Sequence, residues 1–207
     1  RDFEDDEGKQ REIFFVAVPR IQVENLETTC RMAGLKLVAV EIEPLALKRL
    51  LVPGNEGGVR AFLHLGASRS YFSVFEEEIL LFYRSISSFY ENIRFIIGED
   101  PAGLEQINIS QDGQFKFIIR DLIAEVGRLV EYYNIQSGKK IEGLYLCGGG
   151  ASLQGLDEAL NTQISCPVET ADNLESFELS FDGDESVRRE LNYDFPVALG
   201  LALREVI

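Results

Sequence analysis

The sequence predicts an α/β fold: a mixed five-stranded sheet with helices on both faces, preceded by a partial N-terminal α/β lobe. Three observations predict it. Three β-type runs, 59–65, 71–75 and 79–86, follow one another with connections too short for a crossover, so they read as an antiparallel meander. Two later β-type runs, 141–147 and 167–170, each follow a helical pattern, and right-handed crossovers would set them parallel to the first strand. Between them and the N-terminal part lies the clearest linker-like stretch, Pro53-Gly54-Asn55 with Gly57-Gly58, which divides a lobe at 13–52 from a lobe at 59–207.

The elements follow in order. Residues 1–12 are polar and read as a frayed end or an edge connection. Residues 13–18 read as a strand closed by Pro19, 21–33 as a helix stopped by Gly34, and 35–42 as a second strand. Pro44 then opens a helix at 45–51, a position where its missing N–H costs nothing. Within the meander, Glu76-Glu77-Glu78 joins the second and third strands; three like charges there predict a solvated tip. Residues 87–98 read as a short helix and 100–113 as a loop. The strongest helix is 115–136, with Leu122, Ile123, Val126, Leu129, Val130 and Tyr133 on its apolar face. A helix at 153–164 follows the fourth strand. Residues 171–192 are acidic and read as a surface excursion, and 196–206 as a closing helix.

Composition bounds the function. The chain has 207 residues, 45% of them hydrophobic, enough for one sizeable core. It begins with Arg1, as expected of a fragment or a processed product. No apolar run approaches the roughly 18 residues of a membrane span. Acidic residues outnumber basic ones 35 to 20, a formal charge of −15. That argues against nucleic acid and anionic lipid as partners and favours a basic partner segment. The three cysteines, Cys30, Cys147 and Cys166, are odd in number and far apart, which suits buried thiols rather than a disulfide framework or a zinc site.

The chemistry-bearing stretch is Leu144-Tyr145-Leu146-Cys147-Gly148-Gly149-Gly150-Ala151-Ser152-Leu153-Gln154-Gly155. It reads as a buried strand, a tight glycine turn and a helix capped by Ser152. Glycine lets backbone approach a ligand closely, although a sharp turn alone also explains it. Two known phosphate loops are excluded. A Walker A loop needs Lys after Gly155, where Leu156 stands. The dinucleotide fingerprint needs Gly at 153, where Leu153 stands. His64, the lone histidine, lies on a buried strand and is read as structural in preference to a catalytic base.

Four stretches carry a more specific resemblance. The first is Phe15-Val16-Ala17-Val18-Pro19, a helix, then Ala33-Gly34-Leu35-Lys36-Leu37-Val38-Ala39-Val40 through Glu43-Pro44-Leu45-Ala46-Leu47. The second is Leu65-Gly66-Ala67-Ser68-Arg69-Ser70-Tyr71-Phe72-Ser73-Val74. The third is Glu125-Val126-Gly127-Arg128-Leu129-Val130-Glu131-Tyr132-Tyr133. The fourth is the glycine turn, with Val197-Ala198-Leu199-Gly200-Leu201-Ala202-Leu203-Arg204 at the end. In order and spacing the set resembles the type IV pilus assembly protein PilM family, actin-like relatives of FtsA. The element order from residue 59 is also that of a ribonuclease-H-like half, the repeating unit of actin-like and sugar-kinase folds.

The resemblance implies a cytoplasmic adaptor of the pilus inner-membrane platform. It would dock the cytoplasmic tail of a PilN-like membrane partner and link it to other platform and motor components. The resemblance also implies ATP with magnesium between lobes. Gly66, Ala67, Ser68 and Ser70 would then form the second phosphate loop, and Gly148, Gly149 and Gly150 would face the adenosine. The sequence departs from the family at His64, where that loop usually starts with Asp, and in lacking the first phosphate loop. Two other readings compete: an ATP-hydrolysing protein of the FtsA and sugar-kinase class, and the cytoplasmic domain of a GspL-like type II secretion protein.

Overall fold

The computed structural model describes residues 2–5, 8–11, 13–51, 57–66, 68–86, 89, 109, 113–172, 174 and 185–204. The chain forms two compact units, Arg1–Ile42 with Val206–Ile207, and Glu43–Glu205.

In the first unit β1 (Asp2–Asp5) and β2 (Gly8–Arg11) form an antiparallel hairpin. Helix α1 (Arg20–Met32) follows, and none of its side chains is buried. Gly34, at φ 72°, ends it as the sequence predicts. The Gly34 N–H donates to the Arg31 carbonyl and the Leu35 N–H to the Cys30 carbonyl, which satisfies the last turn. Two expectations fail here. The hairpin strands fall at 2–5 and 8–11, where a frayed end was expected, and the predicted strands at 13–18 and 35–42 form no ladder among the described residues. Apolar alternation proposes a strand, but only a partner makes one. These runs leave Phe15 78% and Leu35 65% exposed.

The second unit holds α2 (Glu43–Leu51), β3 (Val59–Leu65), β4 (Ser70–Glu76), β5 (Ile79–Ile86), α3 (Gly113–Ser137), β6 (Gly143–Cys147), a 3-10 turn (Gly149–Ser152), α4 (Leu156–Asn161), β7 (Val168–Thr170), α5 (Glu185–Asp194) and α6 (Pro196–Ala202). The five strands form one sheet in the order β5-β4-β3-β6-β7. The meander is antiparallel, and β3, β6 and β7 run parallel, as predicted.

Alternation along the strands divides the core in two. Ala61, Leu63, Leu65, Phe72, Val74 and Leu146 join a large apolar cluster with α3 and α4. On the opposite face Tyr71 and Cys147 meet Leu47 of α2 and Val197 of α6. The sheet is thus covered by helices on both faces. The outer edge of β7 is closed by a side chain. Asn161 Nδ2 donates to the Val168 carbonyl at 2.7 Å, and the Val168 N–H donates to Asn161 Oδ1 at 2.8 Å.

The acidic hairpin tip is solvated but not loose. Glu77 takes a left-handed φ of 54°. Glu78 pairs with Lys48 of α2, and Glu76 with Lys139 just beyond α3. Burial pushes the Lys48 ammonium below its ordinary pKa. The predicted surface excursion at 171–192 overlaps α5, which runs on to Asp194. The predicted short helix at 87–98 and loop at 100–113 lie outside the described residues except at 89, 109 and 113.

Candidate functional site

Two backbone turns meet at one end of the sheet. β3 and β6 are parallel neighbours with His64 opposite Cys147, so the turns after them leave from adjacent strand ends. Gly66 and Ser68 lie in the first turn and Ser70 starts β4; Ala67 lies outside the described residues. Gly148, Gly149 and Gly150 lie in the second. The fold therefore brings the predicted site residues into one region, but packing explains much of their chemistry.

A β-carbon on Gly66 would stand 2.6 Å from His64 Nε2 and 2.8 Å from the Arg69 carbonyl. The Gly66 N–H already donates to that carbonyl at 3.0 Å. Gly148, at φ 87°, lies against the Leu65 carbonyl and His64 Cε1, at 2.8 and 3.0 Å from its would-be β-carbon. Gly150 presses on Leu65 and Phe89, each 2.7 Å from a β-carbon there. Only Gly149 has room, and it faces Asp194 Oδ1 of α5 at 3.5 Å. Ser70 Oγ is buried and has no hydrogen-bond partner among the described residues. Ser152 does not cap a helix as expected. Its hydroxyl donates to the Gly149 carbonyl at 2.7 Å and closes the 3-10 turn, while left-handed Gly155 precedes α4.

The His64 ring fills the space between the two turns. It stacks on Tyr71, with ring centroids 4.8 Å apart, and its Nδ1 lies 3.7 Å from Cys147 Sγ. Burial lowers its pKa to about 4, so the ring is neutral at pH 7. Burial also pushes the Cys147 thiol up. The pair is a neutral imidazole beside a neutral thiol, not an activated nucleophile. Sequence reasoning did not find this neighbour, because only strand register places Cys147 opposite His64.

A cavity of about 530 Å³ opens beyond the ends of β6 and β7, walled by the 3-10 turn, the start of α4 and α5. Leu153, Thr170, Asp172, Arg188, Asn192 and Tyr193 line it. Arg188 Nη2 meets Asp172 Oδ2 at 3.1 Å. The Arg189 guanidinium lies 5.8 Å from the Tyr193 ring centroid. None of Gly148, Gly149 and Gly150 lines this cavity; the lining starts at the next residue, Ala151. The Arg188 and Asn192 contributions were hidden in the acidic excursion, and Tyr193 lies just past it. Their helical spacing was the available signal.

The donor set divides the expected cofactor. Polar side chains around an aromatic ring suit a nucleoside. The crevice between the turns does not suit a phosphate chain, since the Gly66 N–H is already bonded and His64 occupies the gap.

The strand order and two-sided helical cover define an actin-like α/β protein. EutJ of Carboxydothermus hydrogenoformans matches with a TM-score of 0.54 and 21% identity, over 74% of this chain and 57% of that one. MreB5 of Spiroplasma citri bound to ADP matches with a TM-score of 0.55 and 14% identity, over 75% and 62%. Within this class the chain is similar to PilM proteins. The family described as type IV pilus assembly protein PilM matches residues 107–206. The structure of a PilM-PilN type IV pilus biogenesis complex matches with a TM-score of 0.69 and 28% identity, over 89% of this chain. The chain spans 58% of that relative's length. No curated protein sequence matches significantly. Among the described residues no helix is long and apolar enough to cross a membrane.

Proposed function

We propose that the chain serves as an actin-like adaptor in a type IV pilus assembly platform, where it docks the cytoplasmic N-terminal tail of a PilN-like inner-membrane protein. The observation that carries this reading is the 28% identity, spread over 89% of the chain, to a protein solved in a PilM-PilN complex. The formal charge of −15 favours a basic tail. The protein would then be cytoplasmic, held at the inner membrane through this partner, with other platform and motor components beyond it. Fluorescence anisotropy with a labelled synthetic tail from the neighbouring PilN-like protein tests the reading. Saturable binding at about micromolar concentration supports it; no binding at about 1 mM sinks it.

A second reading is nucleotide binding. The cavity beside the glycine turn favours it, and similar MreB5 structures hold ADP and AMPPNP. Gly66, Ala67, Ser68, Ser70, Gly148, Gly149 and Gly150 are the residues that would bind the nucleotide on this reading, from the turns beside the cavity rather than from its lining. Equilibrium dialysis against labelled ATP with magnesium tests it independently of the tail.

A further inference from the structure

Helix α3 buries one face and leaves the other open. Phe115, Ile119, Leu122, Val126, Val130 and Tyr133 enter the core. On the opposite side Phe117 is 62% exposed, Tyr132 49% and Ile135 77%. Positions 117, 124, 128 and 135 return to one line along a helix. Phe117 and Ile135 therefore stand at the two ends of an open stripe about 27 Å long, with Ala124 and Arg128 between them.

The charges along this stripe come in opposite pairs. Arg120 and Glu131 border one side of it, and Asp121 and Arg128 the other. The exposed charges of α3 are Lys116, Arg120 and Arg128 against Asp121 and Glu131, and half-buried Glu125 makes the face neutral. In a chain of formal charge −15, two copies repel over most of their surface but not here.

The stripe is complementary to itself when two copies run antiparallel. About a two-fold axis beside residues 125 and 126, Phe117 meets Ile135 of the second copy at both ends. Arg120 then reaches Glu131 of that copy, and Asp121 its Arg128, because like flanks meet in an antiparallel pair. A parallel pair would set each charge against itself. Arg128 and Glu131 make no ion pair among the described residues. The pair between adjacent Arg120 and Asp121, at 3.6 Å, is exposed and contributes little, so little is lost when these groups change partners. The Arg120 guanidinium lies 5.1 Å from the Phe117 ring centroid, which holds it at the stripe.

We propose that the open face of α3 is a contact between two copies of this chain, in which α3 packs antiparallel on α3 through Phe117 and Ile135 at its ends and crossed Arg120–Glu131 and Asp121–Arg128 pairs between them.

Sedimentation equilibrium of the 207-residue chain from about 5 μM to about 1 mM tests it. The expected result is a monomer–dimer equilibrium with a dissociation constant of about 100 μM, in keeping with a contact made by one helix from each copy. Arg128→Asp and Asp121→Arg should each weaken the dimer by about tenfold with thermal melting unchanged, since both side chains are exposed. An equimolar mixture of the two variants should restore it, because both crossings again join opposite charges. A monomer throughout overturns the proposal and leaves the face to a different chain. A dimer that neither reversal weakens also overturns it and places the contact elsewhere, as on the exposed Phe15 and Leu35. A mixture that stays monomeric overturns the antiparallel pairing.

Discussion

Gly200 of α6 lies so close to Ala46 of α2 that a β-carbon on it would stand 2.1 Å from the Ala46 carbonyl oxygen. Arg49 Nη1 also donates to the Gly200 carbonyl at 2.6 Å. The contact sets how closely the two helices cross over the Tyr71 and Cys147 face of the sheet. Gly200→Ala should therefore force the helices apart and cost about 1–3 kcal/mol, and Gly200→Val more. Urea melts of the three proteins check this, and equal midpoints would remove the close crossing as a source of stability.

His64 makes stability depend on pH in a defined window. Its folded pKa, about 4, lies below its ordinary 6.5, so between these values the unfolded chain binds more protons than the folded one. Stability is then full above about pH 6.5 and falls as the pH drops toward 4, by about 3 kcal/mol in all. His64→Gln should flatten that part of the profile. Chemical denaturation at a series of pH values reads the slope directly, and an identical slope in the variant would contradict the assignment.

Asn161 holds both backbone groups of Val168. Asn161→Ala should leave them unpaired and cost about 1–3 kcal/mol. Hydrogen exchange at the Val168 amide gives the local readout, which should accelerate in the variant well before global unfolding.

Glu77 sits in a left-handed conformation that β-carbons resist. Glu77→Gly should raise stability by up to about 1 kcal/mol while leaving the Lys48 and Lys139 pairs in place. A thermal melt that shifts downward would show that the strain is met elsewhere.

Much of the fold was legible because its signals are local. Val59 to Leu65 alternates correctly, and α3 keeps its apolar face for its whole length. Glycine turns mark where β6 stops. What was not legible depends on distant partners. Phe15 and Leu35 sit in runs that look like strands but pair with nothing among the described residues, whereas the polar residues before them form a hairpin. Ser152 has the right chemistry for a helix cap, yet the chain makes a 3-10 turn there first, and its hydroxyl serves that turn. The site was half visible. The glycines at 66 and 148–150 do converge, but the close packing that requires Gly66, Gly148 and Gly150 is set by His64, Leu65, Arg69 and Phe89. The cavity walls on α5 lay within residues whose acidity suggested surface.

The Asn161 clasp has a consequence for assembly. The β7 backbone bonds to β6 run through Pro167 and Ala171, and the outward-facing groups of Val168 are already taken. A further strand cannot be added at that border without displacing the amide.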